Sequence, residues 1–383
     1  MKVAIDVRCL QDKYWTGVAE NTWHLIEELV NLPQPPTLFF YANGWQRNNL
    51  PKELQQWGHL VATHYPNKLQ DLGLRLGYWP KLDQIISSRS SSVDLFWLPN
   101  LHFFQLSKVV KKVLTIHDLS FIHFPQFFSA KKRWWYLSSM KKMLQTVKDF
   151  DAVVAVSEHT KNDILELKPQ LEGRIKVIHP AVDPIFFKQA SEHHIHAINQ
   201  QYDLPEKYLL SVGTVEPRKN HLLLLKAYQE LINQNNSFRY DLVIAGAFGW
   251  SFGHTLKYWQ QMKSKNRVHF IGYVPRELQP ALYQKASLFL YPSFYEGFGF
   301  PVLEAIASGT PCLVSNTSSL PEVVGEAALL LDPWVVSEWQ NGINLILFNQ
   351  KLKDSLRKSG KTQALKFSWQ TSAQQLNDLF KAI

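Results

Sequence analysis

Short apolar runs alternate along this chain with stretches in which apolar residues recur at helical spacing. In the first half, Lys2–Val7, Thr37–Tyr41, Asp94–Leu98, Val113–Ile116, Ala152–Val156 and Lys176–Ile178 read as strands. Val18–Val30, Lys131–Val147 and Glu158–Leu167 carry helical periodicity. The second half repeats the alternation, with strands at Tyr208–Val212, Leu242–Ala245, Val268–Ile271, Leu288–Tyr291 and Cys312–Ser315 and helices between them. Trp369, Ala373, Leu376, Phe380 and Ile383 form the stripe of a closing helix. Such alternation predicts α/β architecture, with parallel sheets covered on both faces. The polar stretch Lys188–Asp203, with His193, His194 and His196, breaks the pattern and reads as a solvated linker rather than a metal site. The expected division is therefore 1–187, a linker at 188–204, 205–365, and the closing helix in 366–383.

A chain of 383 residues fits two domains better than one core. With 45% hydrophobic and 13% aromatic residues it has ample material to bury, which excludes global disorder. Cys9 and Cys312 sit in separate apolar runs and read as buried thiols of a reducing compartment. The first strand is cut short by Asp6 and Arg8 and is no signal peptide, and no apolar run reaches the ~20 residues of a membrane span. A cytoplasmic location is expected.

The formal charge of +9 and pI near 9.3 call for an anionic partner. No helix-turn-helix, zinc-finger or RNP pattern supports nucleic acid. The richest basic stretch is Lys131-Lys-Arg-Trp-Trp-Tyr136, followed by Lys141 and Lys142. Leu137, Met140, Leu144 and Val147 give it a core-facing side, so its charges read first as a solvated helix back. Trp134 and Trp135 beside those charges also fit a peripheral contact with an anionic membrane, at the inner face of the plasma membrane.

The chemistry concentrates in Ser293-Phe-Tyr-Glu-Gly-Phe-Gly-Phe-Pro-Val-Leu-Glu304, between an apolar strand and a helix start. Gly297 and Gly299 stand where backbone approaches a ligand and helix-end N–H groups meet an anion. Glu296 on the turn and Glu304 in the helix are placed to reach two parts of one ligand, which suits sugar hydroxyls. The spacing alone fits an ordinary αβ unit with two solvated acids better. Gly213-Thr-Val-Glu-Pro-Arg-Lys-Asn220 likewise joins a strand to a helix, with Asn220 as the expected N-cap. Arg218 and Lys219 there offer a diphosphate fixed positive charge beside helix N–H groups. His117-Asp118 ends another strand. Asp149-Phe-Asp151 resembles an Asp-x-Asp metal motif but leads straight into a strand, so it reads as a connecting loop without metal. Neither Thr16-Gly-Val-Ala nor Gly297-Phe-Gly299 completes a dinucleotide fingerprint, which disfavours an NAD enzyme.

Glu-Gly-Phe-Gly-Phe-Pro-Val-Leu-Glu, running on into Ala-Ile-Ala-Ser-Gly-Thr-Pro-Cys-Leu-Val-Ser, resembles the retaining GT-B glycosyltransferases of family 4. The resemblance implies two doubly wound Rossmann-like domains facing across a cleft, the first for the acceptor and the second for the donor. The last helix would cross back to the first domain. It implies transfer of a sugar from a nucleoside-diphosphate donor to a hydroxyl of a glycan or lipid-linked acceptor, with retention and without metal or other cofactor. His117, Glu296, Arg218 and Lys219 would be the catalytic set. Glu296 would hold donor-sugar hydroxyls, Glu304 the ribose, and backbone around Gly272, Tyr273 and Val274 the base. Gly213, Gly297, Phe298 and Gly299 would complete the donor site. Gly17 resembles the family's glycine loop toward the diphosphate, without the second glycine many members carry. Thr-Gly-Val-Ala together with His-Asp-Leu-Ser-Phe is most similar to mannosyltransferases that use GDP-mannose in surface polysaccharide assembly. Nucleotide-sugar 2-epimerases of the same fold, and a non-catalytic sugar-nucleotide-binding protein, are the alternatives.

Overall fold

Two parallel sheets carry the chain. The structure, a computed structural model, describes residues 1–44, 50–76, 78–128, 133 and 145–383. The first sheet contains β1 (Lys2–Asp6), β2 (Thr37–Asn43), β3 (His59–Thr63), β4 (Leu95–Leu98), β5 (Lys111–Ile116), β6 (Ala152–Ala155) and β7 (Ile175–Val177), in the order β3-β2-β1-β4-β5-β6-β7. The second contains β8 (Tyr208–Val212), β9 (Asp241–Ala245), β10 (Val268–Gly272), β11 (Leu288–Tyr291), β12 (Cys312–Ser315) and β13 (Leu329–Leu331), in the order β10-β9-β8-β11-β12-β13. Every strand of β4, β6, β11 and β12 is buried at each residue, as expected when helices cover both faces of a parallel sheet. The edge strands β3 and β13 were not among the expected strands.

The described residues gather into two compact units. One comprises Met1–Leu119, Trp134–Pro180 and Ser368–Ile383; the other comprises Ser120–Arg133 and Ala181–Phe367. The closing helix Trp369–Ala382 thus returns to the N-terminal unit. There Trp369 stacks on His24 at 5.0 Å, and Ser372 Oγ donates to the His179 carbonyl at 2.6 Å. Ser120–Arg133 joins the second unit because its aromatic residues find partners there. Phe127 stacks on Phe294 at 5.2 Å, and its carbonyl accepts Trp250 Nε1–H at 2.9 Å. This segment and 181–187 depart from the expected single block at 1–187.

The expected linker is instead a helix, Glu192–Tyr202. Ser191 caps it by accepting His194 N–H at 3.2 Å, and Ile198 is fully buried. It is fastened to the second unit by Lys285 Nζ, which donates to Asn199 Oδ1 at 2.9 Å. Most of the helix expected over Lys131–Val147, and the basic stretch Lys131–Tyr136 apart from Arg133, lie outside the described residues. Among the described residues no helix is long and apolar enough to cross a membrane.

Candidate active site

Ligand sites of parallel α/β sheets form at the carboxyl ends of the strands. In the second unit β8 and β11 are hydrogen-bonded neighbours, so the loops that follow them run side by side. Phe294 N–H and Ser293 Oγ both donate to the Arg218 carbonyl, at 2.9 and 3.2 Å. The motifs at 213–220 and 293–304 are therefore one site, although they are far apart in sequence.

Glu296 is at its centre. Its Oε1 accepts hydrogen bonds from Lys219 Nζ at 2.7 Å, Ser293 Oγ at 2.5 Å and Tyr291 Oη at 3.1 Å. Its Oε2 pairs with Arg218 Nη1 at 2.8 Å. Burial pushes the Glu296 carboxyl up, but Arg218 and then Lys219 outweigh it and bring its pKa down to about 2. Burial lowers the pKa of Lys219, against the opposing pull of Glu296. The Arg218 guanidinium also pairs with buried Glu216 at 2.9 Å and donates to the Tyr295 carbonyl at 2.7 Å. Burial raises the pKa of Glu216. Two cations and two acids are thus locked together where the helix His221–Gln234 begins.

Asn220 takes the expected N-cap position but makes no capping hydrogen bond with its side chain. It takes a left-handed conformation (φ 55°) between the short turn Pro217–Lys219 and that helix. Its amide leaves the helix end and donates to the Pro333 carbonyl at 2.8 Å.

Glu304 lies in the helix Phe300–Ala307, whose N-cap Gly299 has φ 112°. It accepts from Tyr283 Oη at 2.8 Å and pairs with Arg276 Nη1. Arg276 is in turn laid over the Phe186 ring at 4.6 Å. Phe298 is buried and meets Phe367 edge-on at 5.5 Å, so its side chain belongs to the core and only its backbone faces the loop. Gly297 and Gly299 flank it.

Three glycines line the same sheet edge with positive φ: Gly213 (150°), Gly246 (148°) and Gly272 (73°). Gly213 N–H donates to the Ala245 carbonyl at 2.8 Å, and Gly246 N–H to the Gly272 carbonyl at 2.7 Å. A Cβ on Gly246 would lie 2.1 Å from the Gly213 carbonyl oxygen, so this position requires glycine. Beyond Gly272, the Tyr273 carbonyl accepts Tyr202 Oη–H at 2.9 Å and the Val274 carbonyl accepts Gln279 Nε2–H at 3.0 Å. Each carbonyl of Gly272–Val274 already holds one internal hydrogen bond. Tyr202, from the helix mistaken for a linker, braces this loop.

In the first unit His117 follows β5. Its Nε2 lies 2.8 Å from the Pro99 carbonyl, which fixes Nε2 as the protonated nitrogen of the neutral ring and leaves Nδ1 as the acceptor. Burial holds its pKa below the usual histidine value. Gly17 is the exposed first residue of the helix Gly17–Val30, without left-handed geometry. Nearby in sequence, at the end of β1, buried Asp6 pairs with Arg8 at 2.6 Å. Asp151 accepts Lys112 N–H at 2.9 Å and Lys111 Nζ at 3.0 Å, tying the starts of β5 and β6. Among the described residues no group of three or more His, Cys, Asp or Glu could hold a metal ion.

The family model for glycosyltransferase family 4 matches residues 15–186, and that for glycosyl transferases group 1 matches residues 195–363. The O-antigen chain mannosyltransferase B of Escherichia coli is 32% identical over 286 residues, covering 74% of this chain and 73% of the relative. The chain belongs to glycosyltransferase family 4. The serotype-specific mannosyltransferase WbdA of Escherichia coli is 30% identical over 226 residues, 58% of this glycosyltransferase but only 28% of WbdA. The fold is similar to a sucrose-phosphate synthase from Thermosynechococcus elongatus, with a TM-score of 0.77 and 19% identity over 100% of this chain and 98% of that one. This glycosyltransferase therefore has the GT-B fold, and its Glu296–Glu304 segment lies at the carboxyl edge of the second sheet.

The structure brings the expected Arg218, Lys219 and Glu296 together and gives Glu304 its own partners, while Glu216, Tyr202, Arg276, Tyr283, Tyr291 and Ser293 were not expected. Glu216 and Ser293 stood inside the motifs and could have been read as buried partners. The others carry no local signal.

Proposed function

We propose that this glycosyltransferase moves mannose from GDP-mannose to a hydroxyl of a growing glycan or lipid-linked acceptor, with retention and without a metal or other cofactor. The observation that carries the reading is the Arg218–Lys219–Glu296 cluster at the sheet edge. The names of the two Escherichia coli relatives, both mannosyltransferases, favour mannose. A departing nucleoside diphosphate needs its growing charge neutralised, and fixed cations do this without reorganising when the bond breaks. Here the cations are held by Glu216 and Glu296. The diphosphate would therefore share or exchange carboxylate partners rather than enter a bare positive patch.

Retention can proceed through a covalent carboxylate intermediate or through a front-face route in which the leaving phosphate oxygen takes the acceptor proton. Glu296 is poorly suited to be a nucleophile. Both of its oxygens are occupied by hydrogen bonds and ion pairs. The front-face route fits better, with the Glu296 carboxylate facing the positive charge that develops on the sugar.

The two acids have separate environments, and that separation is testable. Glu304→Ala is expected to weaken binding of GDP itself, because a ribose contact persists without the sugar. Glu296→Gln should leave GDP affinity close to wild type and depress turnover. Calorimetry on both variants checks this, and an equal loss of GDP affinity in the two would refute the division.

A further inference from the structure

We propose that Trp334, backed by Phe294, is a stacking platform for a pyranose ring of the acceptor glycan; this rests on the glycosyltransferase assignment and adds a subsite to it. Trp334 is 64% exposed. It is not loose. Its N–H donates to Asp332 Oδ1 at 2.8 Å, and the Asp332 carbonyl accepts Trp339 Nε1–H at 2.9 Å. The preceding Pro333 carbonyl is held at 2.8 Å by Asn220, the residue after Lys219. One side of the indole lies against Phe294, with centroids 4.1 Å apart and planes at 34°.

Phe294 shares a loop with Glu296 and is hydrogen-bonded through its N–H to Arg218. The platform therefore stands on the backbone that carries the cation–carboxylate cluster. Phe127 and Phe124 extend it as a half-exposed aromatic row, each step 5.2 Å between centroids. An aromatic surface pinned this way costs a ligand little ordering entropy.

The strand order argues for a sugar rather than the donor's base. Trp334 follows β13 and half-exposed Tyr273 follows β10, at opposite edges of the second sheet. The loop after β13 reaches back to Phe294 after β11, so Trp334 stands about three strand spacings from the β10 edge, roughly 14 Å. Glu304 is tied to Arg276, on the loop that follows β10, so the ribose and base belong to that end. Asp332 and Glu338 flank Trp334, and their charge disfavours an anionic lipid surface while offering acceptors to hydroxyls.

Calorimetry with α-linked mannotriose as probe, and with GDP titrated separately, tests this. Trp334→Ala is expected to weaken mannotriose binding about tenfold, or about 1.4 kcal/mol. Trp334→Tyr should restore it to within about threefold, as a smaller aromatic face would. GDP affinity should be the same in all three proteins. The platform is overturned if wild type does not bind mannotriose, if Trp334→Ala binds it as well as wild type, or if GDP affinity falls in parallel. A wild-type protein that binds mannotriose but not GDP would instead overturn the donor reading and leave the platform standing.

Discussion

Replacing Arg218 by alanine should lower kcat by about 10²–10³-fold, the usual cost of removing a preorganised group that meets charge as it develops. The guanidinium bridges Glu216 and Glu296, so alanine also leaves buried Glu216 without its paired cation and Glu296 with Lys219 alone. Breaking a buried pair from one side costs about 3–5 kcal/mol, and part of the lost activity could then be lost fold. Arg218→Lys separates the two effects. It keeps a charge between the acids but loses the planar fork, so stability should recover far more than turnover. Denaturation curves and steady-state release of nucleoside diphosphate, measured on both variants, are the readouts. A kcat within threefold of wild type in a folded Arg218→Ala protein would remove the cluster from the mechanism. Acid should dismantle the same cluster. The folded-state pKa of Glu296, about 2, lies below its ordinary 4.5. The stability it contributes is therefore complete above 4.5 and lost as pH falls toward 2.

The largest structural effect is expected from Gly246→Ala. The new methyl would sit 2.1 Å from the Gly213 carbonyl oxygen, on a residue at φ 148°. Neither backbone can retreat cheaply, because Gly213 N–H is bonded to Ala245 and Gly246 N–H to Gly272. We expect a loss on the order of 3–4 kcal/mol in the unfolding of the second unit, above what most single substitutions cost. Gly272→Ala is the control. Its φ is also positive, at 73°, but nothing lies within 4 Å of the added carbon. It should cost only about 1–2 kcal/mol of left-handed strain. Equal transitions for the two variants in chemical denaturation would show that close approach at Gly246 is not what requires glycine there.

Much of this site was legible because it is built from local signals. A strand, a glycine turn and a helix start are all visible at 288–307, and Glu296 and Glu304 are fixed to them by spacing alone. The same holds for Arg218 and Lys219. Their partners were not legible, because partner choice is decided by tertiary neighbours. Arg276 and Tyr283 reach Glu304 from a different loop and helix, and nothing in their own sequence marks them. Asn220 holds the cap position, yet its amide is drawn to Pro333, which follows β13. The helix Glu192–Tyr202 escaped notice because it buries little more than Ile198, so its polar faces hide its period. The edge strands escaped because they are short: β3 has only Leu60, Val61 and Ala62 between His59 and Thr63, and β13 is three half-buried leucines before Asp332.

The measurement that tests the central claim most directly is NMR of the reaction between GDP-mannose and a mannoside acceptor in excess EDTA. The account predicts an α-linked product from the α-linked donor, formed with release of GDP, without added metal, and nearly absent with Arg218→Ala. An inverted product, an epimerised sugar released from the donor without acceptor, or turnover that returns only with Mn²⁺ would contradict it.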